Sequence, residues 1–241
     1  MHRLSPLEEV RFGIRTVRAE TCSQQEIHAL VQYCRETQAK LAIVRCPVGM
    51  PDVAQKLEDA GFRLMDTHVS YERSLRELPP SPAPAFCEIS PADAGDAGCV
   101  EAIARECFNN YVGHYHADPR LDRTACDEVY AAWVRRCWQA RDGSHEVFAA
   151  YVDRNAVGFL SVELEHDGAA RVPLNAVLPE YRRQGIYTGL LVRGMHWSAE
   201  RGAIRLRIST QLSNVAVQTA WTRLGFGLTR AEYTFHRWFD T

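Results

Sequence analysis

Prolines at 79, 80, 82 and 84, within "LRELPPSPAPAF" (residues 75–86), constrain this chain more than any other feature. A proline has no backbone N–H and a fixed φ, so neither a helix nor a central strand runs through such a stretch. The run reads as an extended linker. It cuts the chain into a short front part (1–76), a linker (77–86) and a larger back part (87–241). With 241 residues there is room for one large or two small domains.

The two parts end alike. Residues 43–73 lie over 207–237 without a gap, matching at Val53/Val217, Gly61/Gly225, Phe62/Phe226, Leu64/Leu228 and Arg73/Arg237. Each copy reads strand, helix closed by Gly-Phe, then two strands ("RLMD" and "HVSYERSL" in front, "LTRAEYTFHRWF" at the end). The front part is therefore expected to be a partial copy of the second half of the back part. Ahead of it, "RFGIRTVRA" alternates like a strand. "SQQEIHALVQYCRETQA" has helical spacing behind Ser23, a good N-cap.

After the linker, "SPADAGDAGCVEAIARECF" reads as a helix capped by Ser90, and "NNYVGHYHADPRL" as a polar-aromatic loop. "DRTACDEVYAAWVRRCWQAR" is a second helix. Residues 145–181 read as three strands, the last from Arg171 to Val177. Tyr187, Leu190, Leu191, Gly194, Met195 and Ser198 then form one helical face, ended by Gly202. "AIRLRIS" is a strand, and "NVAVQTAWTRLGF" a helix starting at Asn214.

Net charge is −2, which gives no electrostatic reason to expect nucleic acid. No stretch has 18 uninterrupted apolar residues, so no membrane span is expected. The opening "MHRLSPLEEVRFG" has no signal-peptide core. The eight cysteines (22, 34, 46, 87, 99, 107, 126 and 137) form no CxxC pair. They read as reduced, mostly buried thiols of a cytoplasmic protein, with no metal site.

Chemistry enters at "PEYRRQGIYTGLL", residues 179–191. Arg182-Arg183-Gln184-Gly185 follows a strand and opens a helix. The first-turn N–H groups of a helix lack internal partners and carry partial positive charge. A diphosphate suits that place, with glycine allowing close approach. Taken alone, the tetrapeptide reads equally well as a solvated loop.

Arg182, Gly185, Asn214 and Leu224-Gly225-Phe226 together resemble the GCN5-related N-acetyltransferases (GNAT), over roughly residues 86–241. The resemblance implies a mixed α/β fold with a truncated GNAT-like domain in front, and acetyl-CoA as co-substrate. It implies that Arg182, Arg183, Gln184, Gly185, Ile186, Tyr187, Thr188 and Asn214 hold the coenzyme. The backbone of Ala176, Val177 and Leu178 would run beside the pantetheine arm. Tyr187 departs from the family's small residue at the end of the loop but keeps its N–H. Trp221 stands where the family carries a tyrosine acid, and an indole N–H is no useful acid. The thiolate leaves tolerably without help, so activity is expected to survive, with Tyr187, Ser213 and Tyr233 as other proton donors.

The short front part, "YVGHYHADPRLDR" and "YAAWVRRC" resemble the dTDP-fucosamine acetyltransferase group. That likeness implies an acceptor which is a nucleotide-linked amino sugar, met by the loop holding Tyr111, His114, Tyr115, His116 and Asp118, with Glu163 beside it. His114, His116, Asp118 and Glu163 are candidate proton acceptors, and His116 is carried as the catalytic one. Any one of these is also readable as a surface loop or strand residue. The resemblance allows a homodimer and implies neither nucleic acid nor membrane. Acetylation of another small amine, such as an antibiotic or polyamine, is the alternative enzyme. A non-catalytic acetyl-CoA-binding module and a purely structural protein are the alternatives outside enzymes.

Overall fold

The computed structural model describes residues 2–20, 23–80, 83–109 and 111–239. Cys22, Ser81, Pro82 and Asn110 lie outside them. The front part runs β1 (His2–Leu4), α1 (Pro6–Phe12), β2 (Thr16–Glu20), α2 (Gln24–Glu36), β3 (Leu41–Pro47), α3 (Pro51–Asp59) and β4 (Arg63–Ser74). The back part begins with β5 (Glu88–Pro91), α4 (Ala97–Phe108), α5 (His114–Ala117), α6 (Arg123–Gln139), β6 (His145–Val152) and β7 (Asn155–Leu164). It ends with β8 (Ala169–Val172), β9 (Asn175–Val177), α7 (Ile186–Glu200), β10 (Arg205–Gln211), α8 (Val215–Arg223) and β11 (Gly227–Trp238).

All the strands join one mixed sheet in the order β1-β2-β3-β11-β4-β10-β8-β7-β6-β5, with β9 beside β7. The repeat explains the middle of that order. Under the gapless alignment β3 overlies β10, α3 overlies α8 and β4 overlies β11, each with the same start and end. Yet β4 pairs antiparallel with β10 and β11, while β11 pairs with β3 and β4. Each half thus lends its last strand to the other, and the order β3-β11-β4-β10 reads the same from either end once the halves are interchanged. Gly61 and Gly225, with φ 78° and 80°, close the two matched helices in a left-handed conformation that favours glycine. Phe62 and Phe226 then enter the core.

Helices cover both faces. On one, α4 and α6 pack on Val147, Ala149, Phe159 and Ala176, with Leu41 and Ile43 in the same cluster. On the other, α7 packs on Phe148, Leu160, Leu206 and Ile208. There α2 and α3 cover Val17, Ala42, Val44 and Phe235. Alternate residues of β6 (Val147/Ala149 against Phe148/Ala150) serve opposite faces, as a central strand requires. Pro79 and Ala83 lie against α7: His196 Nε2 meets the Pro79 carbonyl at 3.0 Å, and a Cβ on Gly189 would lie 3.3 Å from Ala83 Cα.

Several local expectations are corrected. Residues 63–74 and 227–238 are one long strand each, because bulges absorb the irregularity seen in the pattern. Ser90 lies in β5, and a capping box from Asp93 to Asp96 leads toward α4 instead. "RFGIRTVRA" divides between α1 and β2, with Gly13 in a left-handed conformation (φ 66°) at the junction. The loop after α4 contains the short helix α5. The strand expected over Arg171–Val177 breaks into β8 and β9. Among the described residues seven cysteines are free thiols, five of them buried. No helix is long and apolar enough to cross a membrane among the described residues.

Candidate active site

The break between β8 and β9 builds the site. β8 pairs in parallel with β10 as far as Val172↔Ile208. Pro173 follows, with no N–H to continue a ladder. From there β9 stays with β7, whereas β10 continues along β4. A gap opens between β9 and β10. Ser161 on β7 holds the break: its Oγ accepts from the Leu174 N–H at 3.0 Å and donates to the Leu174 carbonyl at 2.9 Å. Leu174 and Leu178 bond to β7 through their backbones. By antiparallel alternation Ala176 does the same, so the backbones of Asn175 and Val177 face the gap. The Arg182 guanidinium confirms this direction by donating to the Val177 carbonyl at 3.0 Å.

The RRQG loop lies at the end of the gap. Gly185 (φ 86°) and Arg183 (φ 62°) are both left-handed, which points successive N–H groups outward. The Gly189 N–H bonds to the Gly185 carbonyl, so those of Ile186, Tyr187 and Thr188 precede the helical ladder. Arg182, Arg183, Gln184 and Gly185 are exposed. The Gln184 amide donates to the Glu180 carbonyl at 2.9 Å, while Arg183 has no side-chain partner among the described residues. Asn214 caps the start of α8, its amide donating to Thr210 Oγ1 at 3.2 Å rather than to the helix.

Across the gap lies a cavity of about 350 Å³. Its lining joins residues of the gap and of α7 and α8 (Asn175, Tyr187, Asn214 and Trp221) to a wall from the front part (Arg11, Arg18, Arg45 and His68). Helices α4 to α6 and their connections add Phe108, Tyr111, His114, Tyr115, Tyr130, Trp133 and Arg136. No carboxylate is among the lining residues. Beneath the wall, the fully buried Glu8 takes Arg18 at 2.6 Å and the Tyr115 hydroxyl at 2.5 Å. Burial alone would raise the Glu8 carboxyl, but the Arg18 charge and these hydrogen bonds bring it below its ordinary pKa. Arg11 donates to the Tyr115 hydroxyl at 3.3 Å, yet its buried Nε has no partner among the described residues. Burial, with the like charge of Arg136 nearby, lowers the Arg11 guanidinium.

The expected acceptor residues part company here. Tyr111, His114 and Tyr115 line the cavity. Tyr111 bonds to Gln211 and meets Thr210 Oγ1 at 3.3 Å, which ties its loop to the end of β10. His114 is buried, with Nδ1 2.9 Å from His236 Nε2. His236 Nδ1 is 2.8 Å from Asp118 Oδ2, so Asp118 stands behind the cavity lining. His116 turns to α6, where Nε2 meets Asp127 Oδ1 at 3.2 Å. Glu163 lies on the sheet's solvated side, paired with Arg171, in the same array that joins Arg205 and Arg207 to Glu72, Glu165 and Asp167. Neither His116 nor Glu163 lines the cavity. Trp221, 2% exposed, donates its indole N–H to the Tyr187 hydroxyl at 2.8 Å. Burial raises the Tyr187 phenol although that hydrogen bond works against it.

Sequence reasoning missed the arginine wall, His68, His236, Asn175 and Ser161. Strand alternation marks Arg18, Arg45 and His68 as one polar face, but such a face is usually solvated. His236 offered no local signal, because its partners are more than a hundred residues away.

A model of the Acetyltransferase (GNAT) family matches residues 102–226. The spore coat polysaccharide biosynthesis protein SpsD of Bacillus subtilis (strain 168) is 28% identical over 164 residues, 67% of this chain and 55% of that protein. Streptothricin acetyltransferase A of the same organism is 29% identical over 69 residues, 29% of this chain and 40% of that protein. The chain spans about half the length of these curated relatives. Among solved structures, the GCN5-related N-acetyltransferase from Sphaerobacter thermophilus matches with a TM-score of 0.73 at 14% identity, covering 98% of this chain and 76% of that one. At that identity the likeness is one of fold.

Proposed function

The chain belongs to the acetyltransferase (GNAT) family, and from that premise we propose that it moves acetyl from acetyl-CoA to the amino group of a nucleotide-linked amino-deoxysugar. The coenzyme fits the residues present. The diphosphate suits the N–H groups of Ile186, Tyr187 and Thr188 with the exposed Arg183 beside them. The pantetheine arm suits the gap edge of β9, where Asn175 and Val177 offer backbone groups in place of a missing strand. A Val177 N–H aimed at the thioester oxygen would contribute roughly 3–4 kcal/mol to the transition state.

Trp221 is then a positioning residue, its N–H fixing the Tyr187 oxygen from behind. Because burial keeps the phenol protonated, Tyr187 steadies the departing sulfur with a hydrogen bond rather than by full proton transfer. Little more is needed, since a thiol ionises at a pKa of about 8.5.

The observation that carries the acceptor class is the pair Arg11 and Arg136. They share a cavity without a lining carboxylate, repel one another, and leave Arg11 Nε buried and without a partner among the described residues. Such a pair lowers its energy by taking a dianion, and the diphosphate of a sugar nucleotide is one. The relative named for polysaccharide biosynthesis is consistent with a sugar acceptor. The streptothricin acetyltransferase likeness favours an antibiotic amine, but a polycationic acceptor would meet like charge here.

Released thiol measured with acetyl-CoA and a panel of dTDP- and UDP-4-amino sugars, their methyl glycosides and spermine tests this. The nucleotide-linked sugars should show the lowest KM. Arg11→Met with Arg136→Met should raise it about tenfold or more. Equal turnover of the uncharged glycosides or of spermine would remove the sugar-nucleotide reading.

A further inference from the structure

A chain of three side chains ends in the cavity. Asp118 receives donors on every side: His236 Nδ1 at 2.8 Å, the Trp238 indole N–H at 2.9 Å and the Arg120 backbone N–H at 3.0 Å. A carboxyl so surrounded is ionised and accepts. A neutral His236 therefore carries its proton on Nδ1. Its Nε2, 2.9 Å from His114 Nδ1, is left as an acceptor. His114 must donate from Nδ1, which leaves a bare lone pair on Nε2. That nitrogen has no partner among the described residues, and its ring lines the cavity. The loop bearing it is held against β10 by Tyr111, and a Cβ on Gly113 would lie 3.6 Å from the Gln211 amide. His114 thus lines the same cavity as Asn175 of β9 and Gln211 of β10.

We propose that His114 is the general base that deprotonates the acceptor amine, and that His236 and Asp118 are positioning residues that fix its tautomer. This rests on the acetyl-transfer reading above. His114 Nε2 takes one proton from the acceptor ammonium. The freed lone pair forms the C–N bond to the acetyl carbon, the C–S bond breaks, and the second nitrogen proton leaves with the sulfur. The products are the acetamide, the free thiol of CoA and one proton passed from His114 to solvent. None of the three residues needs a metal or an oxidant.

Burial first, and then His236, Arg18, Arg45 and His68, hold His114 well below its ordinary pKa, so it is neutral and ready at neutral pH. The same guanidiniums disfavour a positive charge on the acceptor amine. Donor and acceptor of the proton are thus pushed in the same direction. Tyr115, whose ring centroid is 3.9 Å from that of His114, adds no competing charge, because burial pushes its phenol up to about 12.

Long-range proton–nitrogen NMR of the protein labelled at histidine reads the tautomers directly. At pH 7.5 His114 and His236 should both be protonated on Nδ1 and bare on Nε2. A proton on His114 Nε2 would overturn the assignment. In parallel, His114→Gln should lower kcat/KM with a dTDP-4-amino-4,6-dideoxysugar about a hundredfold or more, with acetyl-CoA affinity by calorimetry within about twofold of the parent. It should also slow the hydrolysis of acetyl-CoA measured without any amine. Parental rates in both assays would sink the base. A parent enzyme that binds acetyl-CoA, hydrolyses it through His114 and ignores every sugar would instead sink the acceptor reading alone.

Discussion

His68 and His114 face a wall of guanidinium groups, and with no acceptor amine bound both are held neutral. Burial, followed by Arg45 and Arg230, pushes His68 down to about 3, and His114 is lowered as well. In the unfolded chain both titrate near pH 6.5, roughly the ordinary value. Above that pH neither state binds the extra proton and native stability is at its full value. As pH falls from there toward 3, the unfolded state gains protons that the native state refuses, so stability is lost. The urea midpoint should therefore drop between pH 7 and pH 5, and His68→Gln should flatten that slope; a midpoint independent of pH would contradict it. Trp221 answers to a different measurement. Trp221→Phe removes the N–H that holds Tyr187 while keeping an apolar ring beside Tyr71, 5.4 Å away centre to centre. We expect kcat to fall with CoA affinity nearly unchanged. A loss of CoA binding would give Trp221 a coenzyme role instead.

Between elements, the decisive event is the parting of β9 from β10. Pro173 interrupts the ladder, and Ser161 replaces it with two side-chain bonds to Leu174. Ser161→Ala leaves both Leu174 groups with less than they had, at a cost of about 1–3 kcal/mol. A lower melting temperature together with weaker CoA binding is expected; a melting loss with unchanged CoA affinity would show that the gap forms without this staple. At the far end of the gap, Gly185 adopts φ 86°. Gly185→Glu would strain that turn and place a carboxylate at the proposed diphosphate site. Calorimetry should find no CoA binding, and unchanged affinity would move the diphosphate elsewhere.

Over the whole molecule, the proline segment interrupts the chain but not the sheet. β4 belongs to the front part and fills the place between β10 and β11 of the back part. A fragment of residues 87–241 would expose both strands along their inner edges. Such edges invite aggregation. The fragment should be insoluble or lack a cooperative melt, and residues 1–78 supplied in trans should rescue it. A soluble, cooperatively melting fragment would show that the exchanged strands are dispensable.

The sequence by itself determined most of the elements, the matched repeat and the loop that opens α7. These follow from short-range rules: proline geometry, hydrophobic period, helix caps and glycine at left-handed turns. It placed Tyr111, His114 and Tyr115 in one loop but could not separate them from His116, which faces away. The tertiary structure alone decided that strands are exchanged between the halves and that the polar face of β2, β3 and β4 meets a cavity. It alone set His236 between Asp118 and His114. Alternation along a strand says that a face is polar; only the packing of distant elements says whether that face meets water, a helix or a ligand.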